Sequence, residues 1–477
     1  MKISIPIIII GALFIESLII AFLNSYLLLS SSALSIVIIC FLLISKNLSE
    51  AERGFLIIVI GAIFLSCTLR PLVLIFNPYL YLYPTQGIPQ VSEIEVAYYT
   101  LAASVFCFLL GLAVALSVRP SKDNYLRVQW QPIRNYLFAY RVQILICGLC
   151  MLILKVLLAL FLRVGVFGVS FYDKTAAFTA RLIPEVVLMC MITCLLLQNW
   201  KYLNWIFRGI GISIFVGIIF VSLAIGSKAG AAYVALVLMI VSILRTRKAE
   251  LSFSLVIVIS LLGIFMVFLL FPWAMAVRHE LAAGAGFFSS IANGLSNIYN
   301  NYYVLDSLNL FTARLVCFDG SIATGIAIPL EISYVYSPSN ISKVIVQGLL
   351  PGVHLSVMSM GQAVGKFYTG HSMEVEHSGA LGFFASMRVI GGPYFCYPLL
   401  FVAGVFLGCA YKSSLKLSYR FDLGLVIGTL FAFYSFKMIL SGNLDIIAIE
   451  IIAAVFQFFV LVVLFKIFSS TLLNKSK

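Results

Sequence analysis

Long apolar runs separated by short polar stretches dominate the chain. A helix needs about 20 apolar residues to cross a hydrocarbon core. Twelve runs approach or meet that length: 4–23, 26–45, 54–76, 96–118, 143–162, 183–199, 209–226, 230–244, 252–275, 389–411, 421–438 and 446–468. The connections are short except for one, residues 276–388. The pattern predicts an all-α polytopic membrane protein of about 12 transmembrane helices. Residues 1–275 hold spans one to nine, 276–388 form one large extracytoplasmic segment, and 389–477 hold the last three spans and a cytoplasmic C-terminus. The large segment is too apolar for a free tail. Its stretches 344–350 and 379–387 read as amphipathic or half-buried, so it is expected to fold back on the spans as short helices.

Composition narrows the class. Apolar residues make up 62% and charged residues 10%, against about 45–50% and 25% in soluble domains. Mean hydropathy is +1.10. These values exclude a string of soluble domains, a disordered chain and a small disulfide scaffold. Nine of the ten cysteines lie in apolar runs and only Cys317 falls outside them, so no disulfide framework is expected. Cys147 and Cys150, and Cys190 and Cys194, sit inside predicted spans, where Cys acts as a small hydrophobe. The first run follows Lys2 directly without a small-residue cleavage site, so it reads as a retained first helix.

The net charge of +13 would suit a nucleic-acid binder, but its placement argues otherwise. With the N-terminus in the cytoplasm, 19 of the 31 Lys and Arg fall on the inner connections beside only five acids. The rest of the chain is then close to neutral. The positive balance is therefore a topology signal, both termini lie inside, and no nucleic-acid partner is expected. The inner loop 119–142 is basic enough to rest on anionic lipid.

Candidate chemistry gathers at the opposite, outer level. Gly226, Ser227 and Lys228 form a tight turn between two spans. Such a turn before a helix can bind an anion, or its Lys can simply snorkel to water. Arg70, Arg278 and Arg388 fall at the same level by the span count. Singly, each fits a snorkelling anchor. Together, facing a large outer segment, they suit a cradle for a diphosphate, because guanidinium forks bind two oxygens at once.

Two spacings recur in the outer segment. Arg314 precedes Gly325 by ten intervening residues, and His354 precedes Gly365 by ten, with Tyr368 following. On these spacings, the span layout and the Gly226-Ser227-Lys228 turn, the chain resembles Wzy-type O-antigen or oligosaccharide repeat-unit polymerases of the O-antigen ligase-like superfamily, a GT-C-like architecture. The family turn carries Arg where this chain has Lys228. In the ligases a polar residue follows the His, whereas Leu355 stands here.

The resemblance implies a glycosyltransferase of the bacterial inner membrane. It moves a growing glycan from undecaprenyl diphosphate onto the next lipid-linked repeat unit, in the synthesis of O-antigen lipopolysaccharide or a capsule. It implies no cofactor, and partners that include membrane lipid, a chain-length regulator and a flippase. The reaction needs cations on the departing diphosphate, for which Lys228, Arg278, Arg314, Arg388 and Arg70 are candidates. It needs a base near the acceptor hydroxyl. His354 is the first candidate, with Glu376 and His377 in reserve. It also needs walls for sugars, for which Tyr299, Tyr302, Tyr303 and Tyr368 are candidates.

Blander roles stand beside these. The aromatic run around Tyr299 also fits an interfacial belt. The cluster of His371, Glu374, Glu376 and His377 also fits a solvated loop tip, and its spacing matches no closed zinc pattern, so no metal is expected. Asp319 and Asp445 are further carboxylates at the outer level. Glu16 and Glu450 lie within spans and are expected to make packed polar contacts. A flippase or other transporter is the alternative outside the enzymes, but it would show two similar halves. A ligase-type transferase is the nearest alternative within them.

Overall fold

In the computed structural model the chain is described over residues 2–474, except 77–78, 80, 84–86, 119–135, 163–182, 225–228, 247–249, 253–260, 262–264, 266–268, 297–316, 327, 329, 351–356, 369–380 and 419–422. A short antiparallel ribbon joins β1 (Lys2–Ser4) to β2 (Glu250–Ser252). Every other element is helical. The first half runs through α1 (Ile5–Leu23), α2 (Leu28–Ile44), α3 (Glu50–Phe64), a π-turn (Leu65–Leu69), α4 (Arg70–Phe76), α5 (Val91–Ser117), α6 (Tyr136–Ala139), α7 (Arg141–Leu162), α8 (Glu185–Asn199), α9 (Trp205–Ala224) and α10 (Ala229–Thr246). The outer segment supplies α11 (Phe271–Ala282), α12 (Phe287–Ser296), α13 (Cys317–Ile326), α14 (Leu330–Val335), α15 (Pro338–Leu349) and α16 (Met360–Tyr368). The last spans are α17 (Phe383–Ser418), α18 (Leu423–Ser441) and α19 (Leu444–Asn474).

Among the described residues, nine helices are long and apolar enough to cross a membrane. They cover α1, α2, α3 with its π-turn, α5, α7, α9, α17, α18 and α19. The chain is thus a multi-pass, all-α membrane protein. Two of the twelve expected spans are shorter apolar helices, Glu185–Asn199 and Ala232–Leu244. The expected ninth span, 252–275, lies mostly outside the described residues. Its described end belongs to α11, which continues past residue 275 to Ala282.

Helix ends follow their sequence signals. Ser49 caps α3 and Glu52 reaches back to the Ser49 N–H at 3.2 Å. Gln90 and Glu93 repeat the motif at α5. Ser337 followed by Pro338 starts α15, and Ser359 with Gln362 starts α16. Each capping group satisfies backbone donors that a helix start leaves unpaired.

Among the described elements, α5 and α17 form the most extensive helix pair. Gly111 of α5 lies against the Phe401 carbonyl of α17, and Gly404 of α17 lies against the Phe108 carbonyl of α5. A Cβ at either position would collide with backbone. Small residues allow this approach, which maximises van der Waals contact where lipid offers no hydrophobic drive. The long apolar run of α17 was expected as a span over 389–411. The helix instead begins at Phe383 and breaks at Gly392, where φ is +67° and ψ is −173°, a conformation open to glycine almost alone. Pro393 follows and cannot donate to the turn before it. The segment ahead of the break packs inward, with Phe383 and Phe384 edge-on to Phe108.

Candidate functional site

The outer segment caps the end of the bundle formed by α4, the start of α5, the start of α17 and the α18–α19 turn. Two buried ties hold it there. The first is Arg70 to Asp319. Pro71 has no N–H, and the π-turn before Arg70 absorbs the disturbance while aiming the guanidinium inward. Its Nε lies 2.8 Å from Asp319 Oδ2 and its Nη2 3.1 Å from Oδ1. The Leu82 N–H also donates to Oδ1, at 3.3 Å. Both side chains are fully buried. Burial pushes the Asp319 carboxyl up, and the Arg70 guanidinium with the Leu82 N–H pulls it back. Tyr98 of α5 meets Phe318 edge-on beside this pair, at 4.7 Å between ring centres.

The second tie runs to the α18–α19 turn. Asp445 accepts from the Met360 N–H at 2.9 Å and so holds the start of α16. Asn340 of α15 donates to the carbonyls of Val335 and Met358. Ser386 of α17 donates to the Gly442 carbonyl at 3.0 Å.

Between these ties stands Arg388, one turn ahead of the Gly392 break. Its Nη1 lies 3.9 Å from the point where a Cβ on Gly325 would sit. Cys396 and Tyr397 of the same helix lie close enough to feel its charge. The Nη1 atom is buried and has no hydrogen-bond partner among the described residues. A charged donor taken from water without an acceptor is costly, and native structures keep few of them. An anionic oxygen is the group that would satisfy it.

The expected site residues divide accordingly. Arg388 and Gly325, the glycine of the Arg314 spacing, come together. Arg70 is at the expected end of the bundle, but its guanidinium is spent on Asp319 and sealed from solvent, so it serves as a tie in this arrangement. Arg278 lies on α11, and Gly365 and Tyr368 share α16, three residues apart. The side chains of Arg278 and Tyr368 lie outside the described set. So do residues Lys228, Tyr299, Tyr302, Tyr303, Arg314, His354, Glu376 and His377. Among the described residues, no three His, Cys, Asp or Glu side chains converge to hold a metal ion.

Two partly buried pairs were not anticipated. Lys155 of α7 meets Glu185 at 2.7 Å and approaches Ser222 of α9 at 3.3 Å. Lys437 of α18 meets Glu450 of α19 at 2.6 Å and lies over the Tyr233 ring of α10. Each Lys interrupts an apolar run near a carboxylate of another helix. Glu450 was recognisable as a polar contact between helices, but its partner was not. The chain matches no family model, no curated protein and no solved structure.

Proposed function

We propose that the protein polymerises undecaprenyl-diphosphate-linked oligosaccharide repeat units at the outer face of a bacterial inner membrane. The observation that supports this most is Arg388, a guanidinium with a buried nitrogen that has no partner among the described residues, set beside Gly325 at the capped end of the bundle. A cation held this way is prepared for a phosphoryl oxygen and needs no reorganisation when one arrives.

In the proposed reaction, the acceptor hydroxyl of the incoming unit attacks the anomeric carbon of the growing glycan. The bond from that carbon to the diphosphate oxygen breaks, and its electron pair leaves with undecaprenyl diphosphate. Arg388 neutralises the developing charge, with Arg314, Arg278 and Lys228 completing the cradle. The hydroxyl proton passes to His354, or to the Glu376 and His377 pair. Tyr299, Tyr302, Tyr303 and Tyr368 supply surfaces for the sugar rings. Arg70 is left out of the cradle because Asp319 occupies it.

The test uses a strain lacking its own copy of the gene. Arg388→Ala should lose long glycan chains while the protein stays at normal level in the membrane. Removing one desolvated donor of this kind typically lowers the rate by about 100- to 1,000-fold. Wild-type chain lengths from the variant would refute the proposal.

A further inference from the structure

The reaction proposed above makes no use of the cations at the opposite end of the bundle. There α7 and α9 run side by side in the same direction. Gly148 of α7 packs on Ile214 of α9, and Gly217 of α9 packs on Leu152 of α7. This register brings Arg141, the first residue of α7, level with Phe207 and Arg208 in the first turn of α9. The Tyr136 hydroxyl of α6 donates to the Val462 carbonyl of α19 at 3.0 Å and so ties the segment leading into α7 to the bundle.

Both guanidinium groups lie on aromatic rings. The Arg141 Cζ is 4.4 Å from the centre of the Phe138 ring and 5.5 Å from that of Phe207. The Arg208 Cζ is 4.9 Å from the centre of the Trp200 ring. Stacking holds a guanidinium by its face and leaves its N–H edge for an acceptor. Arg141 gives one of its N–H groups to the Phe138 carbonyl, at 2.8 Å. Arg208 Nε is buried and has no hydrogen-bond partner among the described residues. Neither side chain meets a carboxylate among the described residues. From α6 to α9 the only described acid is Glu185, about 20 Å away along α8 and already paired with Lys155. Lys201 follows Trp200 directly and is exposed.

The depth of the cluster is marked by Trp200, Tyr202 and Trp205, all exposed, since such rings settle at the level of lipid headgroups. We propose that Arg141 and Arg208, with Lys201, form a binding site for the phosphate of an anionic phospholipid headgroup. Guanidinium edges match phosphate oxygens, and an unmatched buried donor gains most from one. A zwitterionic headgroup carries its own cation, which three positive side chains repel. A headgroup of net negative charge, such as phosphatidylglycerol, meets no such repulsion. The sequence led only to a basic loop resting on lipid, whereas the structure assigns two fixed guanidinium groups on neighbouring helices. The site is independent of the Arg388 chemistry.

Native mass spectrometry tests the proposal. Full-length protein is released from detergent micelles that hold phosphatidylglycerol and phosphatidylcholine in equal amounts, and the retained lipids are counted. Wild-type protein should retain phosphatidylglycerol in preference to phosphatidylcholine, and excess inorganic phosphate should not displace it. Arg141→Gln and Arg208→Gln should each lower the preference about 5-fold, and the double variant about 25-fold. The double variant Arg141→Lys/Arg208→Lys keeps both charges and should retain more of the preference than the double Gln variant. Lys343→Gln, at the capped end, should leave it unchanged. Equal retention of the two lipids by wild-type protein would overturn the proposal. So would displacement by inorganic phosphate, which would make the site one for a free anion, or an unchanged preference in the double Gln variant. The first two measurements use only wild-type protein, so they decide the matter even if a variant fails to fold.

Discussion

Arg70 and Arg388 lie at the same end of the bundle, in opposite circumstances. Arg70 has a carboxylate on two of its nitrogens, and Arg388 keeps a buried nitrogen unmatched among the described residues. The first predicts a stability effect and the second a functional one. Asp319→Ala should strip Arg70 of its partner and cost about 3–5 kcal/mol, the usual effect of stranding a buried charge. Thermal unfolding in detergent would show a lower transition. The double variant Arg70→Met/Asp319→Leu should recover most of that loss, because two matched apolar groups replace the pair. Arg388→Ala should leave the transition near the wild-type value, since no hydrogen bond to Nη1 is lost. Both residues of the tie were recognisable in the sequence as charges at the outer level. Their pairing was not, because 249 positions separate them and only the folded-back outer segment brings α13 onto α4.

At the scale of elements, the α5–α17 interface and the break in α17 carry the clearest expectations. Gly404→Leu should drive a side chain into the Phe108 backbone and separate the two helices, which a loss of monodisperse protein on gel filtration would show. Gly392→Ala is a gentler test. A Cβ there meets nothing within 4 Å, so its cost is conformational alone, about 1–3 kcal/mol from a backbone region that other residues avoid. Thermal unfolding should read a loss in that range. The sequence placed most helices correctly because apolar length is a strong signal and the caps at Ser49, Gln90 and Ser337 mark starts. It failed where packing overrides hydropathy. The half-buried stretch 379–387 was expected as part of a short helix folded back on the spans, whereas its residues 383–387 open the long helix α17 against Phe108, and the Gly391-Gly392-Pro393 run then breaks it. Likewise α8 is only 15 residues long although its run looked like a full span.

The whole molecule is a multi-pass bundle capped at one end by short helices, with the cap tied down through Asp319 and Asp445. By the charge asymmetry of the sequence, that cap is expected on the outer side of the membrane. Lys343 of α15 and Lys201 between α8 and α9 are both exposed and should face opposite sides. In a background without native cysteines, Lys343→Cys should react with an impermeant thiol reagent in intact cells, and Lys201→Cys only after permeabilisation. The opposite pattern would invert the topology. The cap was foreseeable from the length and half-apolar character of residues 276–388, whereas its anchoring to α4 and α19 depends on contacts between parts of the chain distant in sequence.

We propose that this capped end joins lipid-linked repeat units, with Arg388 on the leaving diphosphate. The most direct measurement is polymer formation by purified protein in liposomes supplied only with undecaprenyl-diphosphate-linked repeat units. Wild-type protein should yield a ladder of lengthening glycans on undecaprenyl diphosphate and release undecaprenyl diphosphate at each step. Arg388→Ala, folded to the same degree, should yield single units alone. The account would be contradicted by a wild-type protein that makes no bond between units, or by an Arg388→Ala variant that makes the same ladder at the same rate.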